Sequence, residues 1–93
     1  DDIILSSLAL GCMGDAYMEL GDVDAALDSY ASAVSNSSND FTAPRYMMKQ
    51  ALIHDANGNS DKALNLYKSI KNDYKTSREA NGIEKSIAKV ENS

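Results

Sequence analysis

Apolar residues recur along this chain at intervals of three and four, the spacing of an α-helix, and the pattern breaks at LGDVD, SNSSND and NGNSD. The first segment, about Ile3 to Leu20, is apolar on two sides. Leu5, Leu8, Cys12, Ala16 and Leu20 form one row, and Ile4, Leu10, Met13 and Tyr17 form another. Such a helix is expected to lie between neighbours. Gly21 suits the left-handed residue that ends a helix, and Asp22 suits the cap of the next. The second helix, Val23 to about Ser35, carries Ala26, Leu27, Tyr30, Ala33 and Val34 on one stripe. SNSSND, residues 35–40, is expected to be a loop, because its short polar side chains compete for backbone hydrogen bonds. A third helix is predicted from about Ala43 to Ala56, with Thr42 as N-cap and Pro44 in the first turn. A fourth runs from Asp61 to Tyr74. A fifth is predicted to start at Thr76-Ser77, with Glu79 completing a capping box. Its apolar stripe is narrow: Ile83, Ile87 and Val90.

Two of these segments are copies. When LGDVDAALDSYASAV is laid over NGNSDKALNLYKSIK, Gly21 falls on Gly58, Ala26 on Ala63, Leu27 on Leu64 and Tyr30 on Tyr67, each 37 residues apart. Upstream, Gly14 falls on Ala51 and Tyr17 on His54 at the same offset. A constant offset through two helices and their corner marks a helix-turn-helix repeat. The small residues Gly14, Ala51, Ala26 and Ala63 allow helices to approach closely, and the two tyrosines fill the space between hairpins. Gly14 costs about 1 kcal/mol of helix propensity relative to Ala, so packing must offset it.

Leu10, Met13-Gly14, Tyr17, Leu20-Gly21-Asp22, Ala26, Tyr30 and Ala33 resemble the tetratricopeptide repeat pattern nearly in full. Met47, Gln50-Ala51, His54, Asn57-Gly58-Asn59, Ala63, Tyr67 and Ile70 resemble it more weakly. The resemblance implies an all-α fold, a right-handed α-α superhelix. It would consist of two helical hairpins, repeat 1 at about 7–37 and repeat 2 at about 43–76, plus a C-terminal capping helix at about 77–92. Further likeness, through LALGCMGDAYMELG, FTAPRYMMKQAL and YKSIKNDYKTS, is to the C-terminal part of longer bacterial repeat proteins. That implies a fragment, with further repeats and an inner-membrane anchor upstream, in the bacterial cytoplasm or periplasm. Ile3, Ile4, Leu5 and Leu8 would then need cover, from upstream repeats or from a second copy of the chain in a homodimer.

Composition narrows the function. The net charge is −5, but residues 1–44 hold eight acids and no base, while residues 45–93 hold nine bases and six acids. The basic part is weak and interspersed with acids, which argues against nucleic acid. The asymmetry is either a lopsided solvated surface or a field that steers a partner. No apolar run is long enough to span a membrane. A single Cys excludes an internal disulfide and a Cys-based zinc site.

No residue set suggests catalysis, a metal or another cofactor. His54, the one histidine, stands at a packing position of the repeat, and Asp55 points about 100° away from it on a helix. Cys12 is expected to be a small buried hydrophobe, since no base is near in sequence to make it reactive. Asp22, Asp24 and Asp28 lack the alternating oxygens of a calcium loop. Binding is what remains. The resemblance implies a non-enzymatic scaffold whose first helices line a concave groove. Its groove positions map onto Leu8, Gly11, Asp15, Met18 and Glu19, then Arg45, Met48, Leu52, Asp55 and Ala56. The acidic-apolar mixture, with adaptable methionines, favours a basic-apolar peptide or helix as the protein partner. The alternative is a structural or self-associating segment with no ligand of its own.

Overall fold

The computed structural model describes residues 2–37 and 41–92, with side chains from residue 6 onward. Five helices follow one another: α1 (Asp2–Glu19), α2 (Val23–Ser35), α3 (Thr42–Ala56), α4 (Ser60–Asp73) and α5 (Ile83–Glu91). There is no strand among the described residues. Each helix packs on the next, and α1 also touches α3. The result is a slab of 39 × 31 × 15 Å. It is all-α, with α1–α2 and α3–α4 as two helical hairpins.

Both corners are built the same way. Gly21 and Gly58 have φ of +79° and +78°, where a Cβ would be strained. At the first corner the Asp22 N–H donates to the Tyr17 carbonyl (2.9 Å) and the Gly21 N–H to the Met18 carbonyl (3.1 Å). At the second, the Asn59 N–H donates to His54 (2.8 Å) and the Gly58 N–H to Asp55 (3.2 Å). These paired bonds are the Schellman ending of a helix. Asp22 then caps α2, its Oδ1 accepting from the Ala25 N–H at 3.1 Å. Asn59 stands at the same place before α4 without a side-chain cap bond.

The core lies in two layers joined through Val34. Ala26, Tyr30, Ala33 and Tyr46 hold α3 onto the first hairpin. Met47, Ala51, Ala63, Tyr67, Ile70, Ile83, Ile87 and Val90 hold the second hairpin together under α5. Tyr30 and Tyr67 are 2 % and 1 % exposed, so both rings point inward as the repeat pattern predicts. Burying each of Ile83, Ile87 and Val90 stabilises the closing helix by roughly 1.5–3 kcal/mol.

Several local expectations are corrected. The fifth helix begins at Ile83, not at residue 77. Ser77 does behave as a local cap, its Oγ accepting from the Ala80 N–H at 3.2 Å. Single-turn bonds follow, from Ala80 to Ser77, Asn81 to Arg78 and Ile83 to Ala80, and Gly82 at φ +78° interrupts them. Thr42 is not the cap of α3. It is the first helical residue, is fully buried, and its hydroxyl hydrogen-bonds Ser37. Cys12 is exposed rather than buried. Met13 at 48 % and Leu20 at 79 % are exposed as well, because α1 packs only on the α2 and α3 side. The expected exposure of Ile3, Ile4 and Leu5 lies outside the described side chains, and part of the SNSSND loop lies outside the described residues.

Candidate binding groove

On α3, Arg45, Lys49, Leu52 and Ala56 are spaced by four, three and four residues, which brings them onto one face within about 60°. Among them, Arg45, Leu52 and Ala56 are exposed and Lys49 is half-buried. On α1 the residues 37 places earlier, Leu8, Cys12, Asp15 and Glu19, form the corresponding row, with Met18 beside it. The α1–α3 contact sets the two rows next to each other.

Not every expected groove residue is free to meet a ligand. Leu8 packs partly on the first core layer and Met48 on the second. Gly11 is buried: a Cβ there would lie 2.1 Å from the Tyr46 ring, so this glycine makes room for an aromatic of the next hairpin. Asp55 is half-buried and accepts from the Tyr67 hydroxyl at 3.3 Å. Glu19 and Arg45 are exposed. Met18 and Leu52, 39 % and 55 % exposed, come together although they belong to different repeats. With Val23, Ile53, Ala56 and Asn57 they line a cleft of about 280 Å³ whose walls are mainly apolar.

Asp15 is the polar centre of the groove. It accepts from the Tyr30 hydroxyl and from Lys49 Nζ, the latter at 2.7 Å. Burial works to raise its pKa, but the bonds from Lys49 and Tyr30, with Arg45 nearby, outweigh that and hold the carboxyl below its ordinary value. Tyr30 moves the other way: burial, then the Asp15 carboxylate, push its hydroxyl well above the usual phenol range. The Tyr30 and Tyr46 rings stack at 6.0 Å between centroids, 15° from parallel. Lys49 Nζ lies 5.6 Å from the Tyr30 centroid, and the Arg45 guanidinium lies 5.8 Å from that of Tyr46. Two cations thus flank two stacked rings.

Lys49 and Tyr46 were missed as parts of this floor. A signal for Lys49 was present, since it is one turn after Arg45 on the same face. No signal in the sequence marks Tyr46. His54 is half-buried, with Nδ1 buried and unbonded; burial, then Lys62, lower its pKa. Among the described residues, no group of three His, Cys, Asp or Glu is placed to hold a metal ion. No helix of the described residues is long and apolar enough to cross a membrane.

No curated protein and no solved structure gives a significant match to the chain. A family model described as tetratricopeptide repeat matches residues 13–40 and 45–77. Those two stretches cover the greater part of both hairpins, their glycine corners and both buried tyrosines. The chain therefore belongs to the tetratricopeptide repeat family, whose repeats generally serve as protein-protein interaction modules and are typically non-catalytic.

Proposed function

We propose that this protein is a non-catalytic scaffold that holds a peptide or short helix along the groove between α1 and α3. The two repeats, about 7–37 and 43–76, act as one rigid body, and the chain from 77 to 92, with α5 at its end, closes the second hairpin. The observation that carries the reading is the apolar cleft shared by Met18 and Leu52. A side chain seated there touches both repeats at once, so affinity depends on the repeat-to-repeat geometry. The residues that meet the ligand are Met18, Leu52, Glu19 and Arg45, with Leu8, Asp15, Met48 and Asp55 shaping the walls. Charge supports a protein ligand over nucleic acid, since the chain is net acidic and its bases are dispersed. The test is Leu52→Asp, which changes an exposed side chain. Peptide capture on an array should be lost while the thermal midpoint stays within about 2 °C of the parent, as for a surface change. Undiminished capture would refute the groove.

A second reading, self-association, is favoured by one observation. Ala9, Met13, Ala16 and Leu20 form an exposed row on α1. The residues 37 places later, Tyr46, Gln50 and Ile53, lie on α3, where Tyr46 and Ile53 pack against the first hairpin. The residues 74 places later, Ile83, Ile87 and Val90, are buried in the second core layer. The α1 row is thus the family's stacking face, and a second copy of the chain would cover it. Sedimentation at high concentration tests this: Met13→Glu should shift a dimer to monomer, and a monomeric parent would rule the dimer out.

A further inference from the structure

The groove has a second cleft at its other end. Phe41, Arg45, Thr76, Ser77, Arg78 and Glu79 enclose a space of about 520 Å³ between the start of α3 and the turns before α5. Arg45 thus belongs both to this cleft and to the α3 row that ends in the Met18–Leu52 cleft. The electrostatics of the two ends differ. At the apolar end no lining residue is charged, and the acids next to the lining residues in sequence are Glu19 and Asp22, both exposed, and Asp55, half-buried. At the other end stand Arg45 and Arg78, with Lys75 on the adjoining surface, and Glu79 is the one acid among the described residues that line the cleft. Lys71 is nearby but is paired with Glu84 at 3.0 Å. Among the described residues, neither Arg45 nor Arg78 has a carboxylate within ion-pair distance. Arg45 does feel Asp15, but Asp15 is already engaged by Lys49 and Tyr30. The middle of the groove therefore offers a basic ligand little free negative charge, the reverse of the expectation from sequence.

From this asymmetry, and resting on the groove reading above, we infer that the ligand is a peptide segment pairing an apolar anchor with an acidic side chain. The anchor fills the Met18–Leu52 cleft. The carboxylate lies between the Arg45 and Arg78 guanidinium groups, whose planar forks suit bidentate recognition. The spacing follows from geometry. Leu52 is seven residues beyond Arg45, or about 10 Å along the helix axis at 1.5 Å per residue. An extended peptide advances about 3.3 Å per residue, so about three residues separate anchor and acid.

The probe is an array of decapeptides with Leu fixed at the fifth position and each other position set in turn to Glu, Lys or Ala, read with the 93-residue chain. Glu should be enriched about three places from the Leu. In anisotropy titrations of the best member, changing that Glu to Lys should weaken binding about tenfold at low salt and less at high salt. Arg78→Glu, on an exposed turn, should cost a similar factor for the Glu peptide and improve the Lys peptide. Equal binding of Glu and Lys peptides, or enrichment of Lys, with Leu52→Asp still abolishing binding, overturns the acidic preference and leaves the groove standing. Binding indifferent to both Arg78→Glu and Leu52→Asp overturns the preference and the groove together. An array on which no Leu-Glu peptide is retained also overturns the inference.

Discussion

The two hairpins have matching corners and differ in how they house the same tyrosine. In the first, the Tyr30 ring lies over Gly14, where an added Cβ would sit 2.4 Å from the ring. Its hydroxyl donates to Asp15, and Lys49 of the next repeat completes the set. In the second, Gly14 is replaced by Ala51, whose Cβ occupies that space. Residue 52, the counterpart of Asp15, is Leu, and the Tyr67 hydroxyl reaches Asp55 instead, at 3.3 Å. One repeat uses the shared hairpin geometry for a polar centre that spans α1, α2 and α3. The other presents an apolar side chain at the same position, which becomes a wall of the apolar cleft. A repeat thus keeps its fold through small residues and an inward ring, and varies its surface through the residue after the small one.

Substitutions that exchange the two solutions would break this comparison most sharply. Gly14→Ala should destabilise the chain by about 2 kcal/mol, since overpacking outweighs the roughly 1 kcal/mol that helix propensity gains. Ala51→Gly should cost only about 1 kcal/mol. Urea denaturation of both variants measures the pair, and a stabilised Gly14→Ala would mean that the ring is not held against the helix. The corners provide a smaller contrast. Asp22→Ala removes a real cap bond and should cost about 1 kcal/mol. Asn59→Ala removes none and should cost a few tenths of a kcal/mol, as an ordinary surface change does. Equal losses in thermal melts would show that the two caps are equivalent.

The least drastic test is pH, which should separate the hairpins by where each begins to lose stability. His54 in the second hairpin has a depressed pKa, so the unfolded chain takes up its proton first. Its stabilising contribution is present above about pH 6.5, the ordinary histidine value, and declines as pH falls through the folded pKa. Asp15 in the first hairpin is also depressed. Its contribution is present above about pH 3.9 and is lost only at more acid values. Tyr30 has the opposite sign: its contribution is complete below about pH 10 and declines as pH rises through its raised value. Stability measured from pH 8 to 5 should fall slightly for the parent and stay flatter for His54→Gln. An unchanged slope in that variant would remove His54 as the source.

Particular residues explain how much was readable in advance. Gly21 and Gly58, Ala26 and Ala63, and Tyr30 and Tyr67 announced the hairpins because a glycine corner and a small-residue contact leave few alternatives at a fixed offset. Met18 and Leu52 were assigned to the groove by position, but nothing in the sequence said that they share a cleft. Gly11 looked like a groove position because its burial depends on Tyr46, 35 residues away. Cys12 looked buried because its neighbours along the helix are apolar, whereas exposure depends on which faces find a partner. At Ser77 the capping residues operate, yet the backbone follows one-turn bonds until Gly82.

By itself, then, the sequence determined the five helical segments, the corners and the inward tyrosines, since these follow from φ preferences, apolar spacing and side-chain volume within a few turns of each residue. The tertiary structure alone decided that Lys49 neutralises Asp15, that Tyr46 covers Gly11, that Met18 meets Leu52, and that Arg45 and Arg78 share a cleft. The reason is that these pairs lie on different helices, so their distances are set by how the hairpins stack and not by their spacing along the chain.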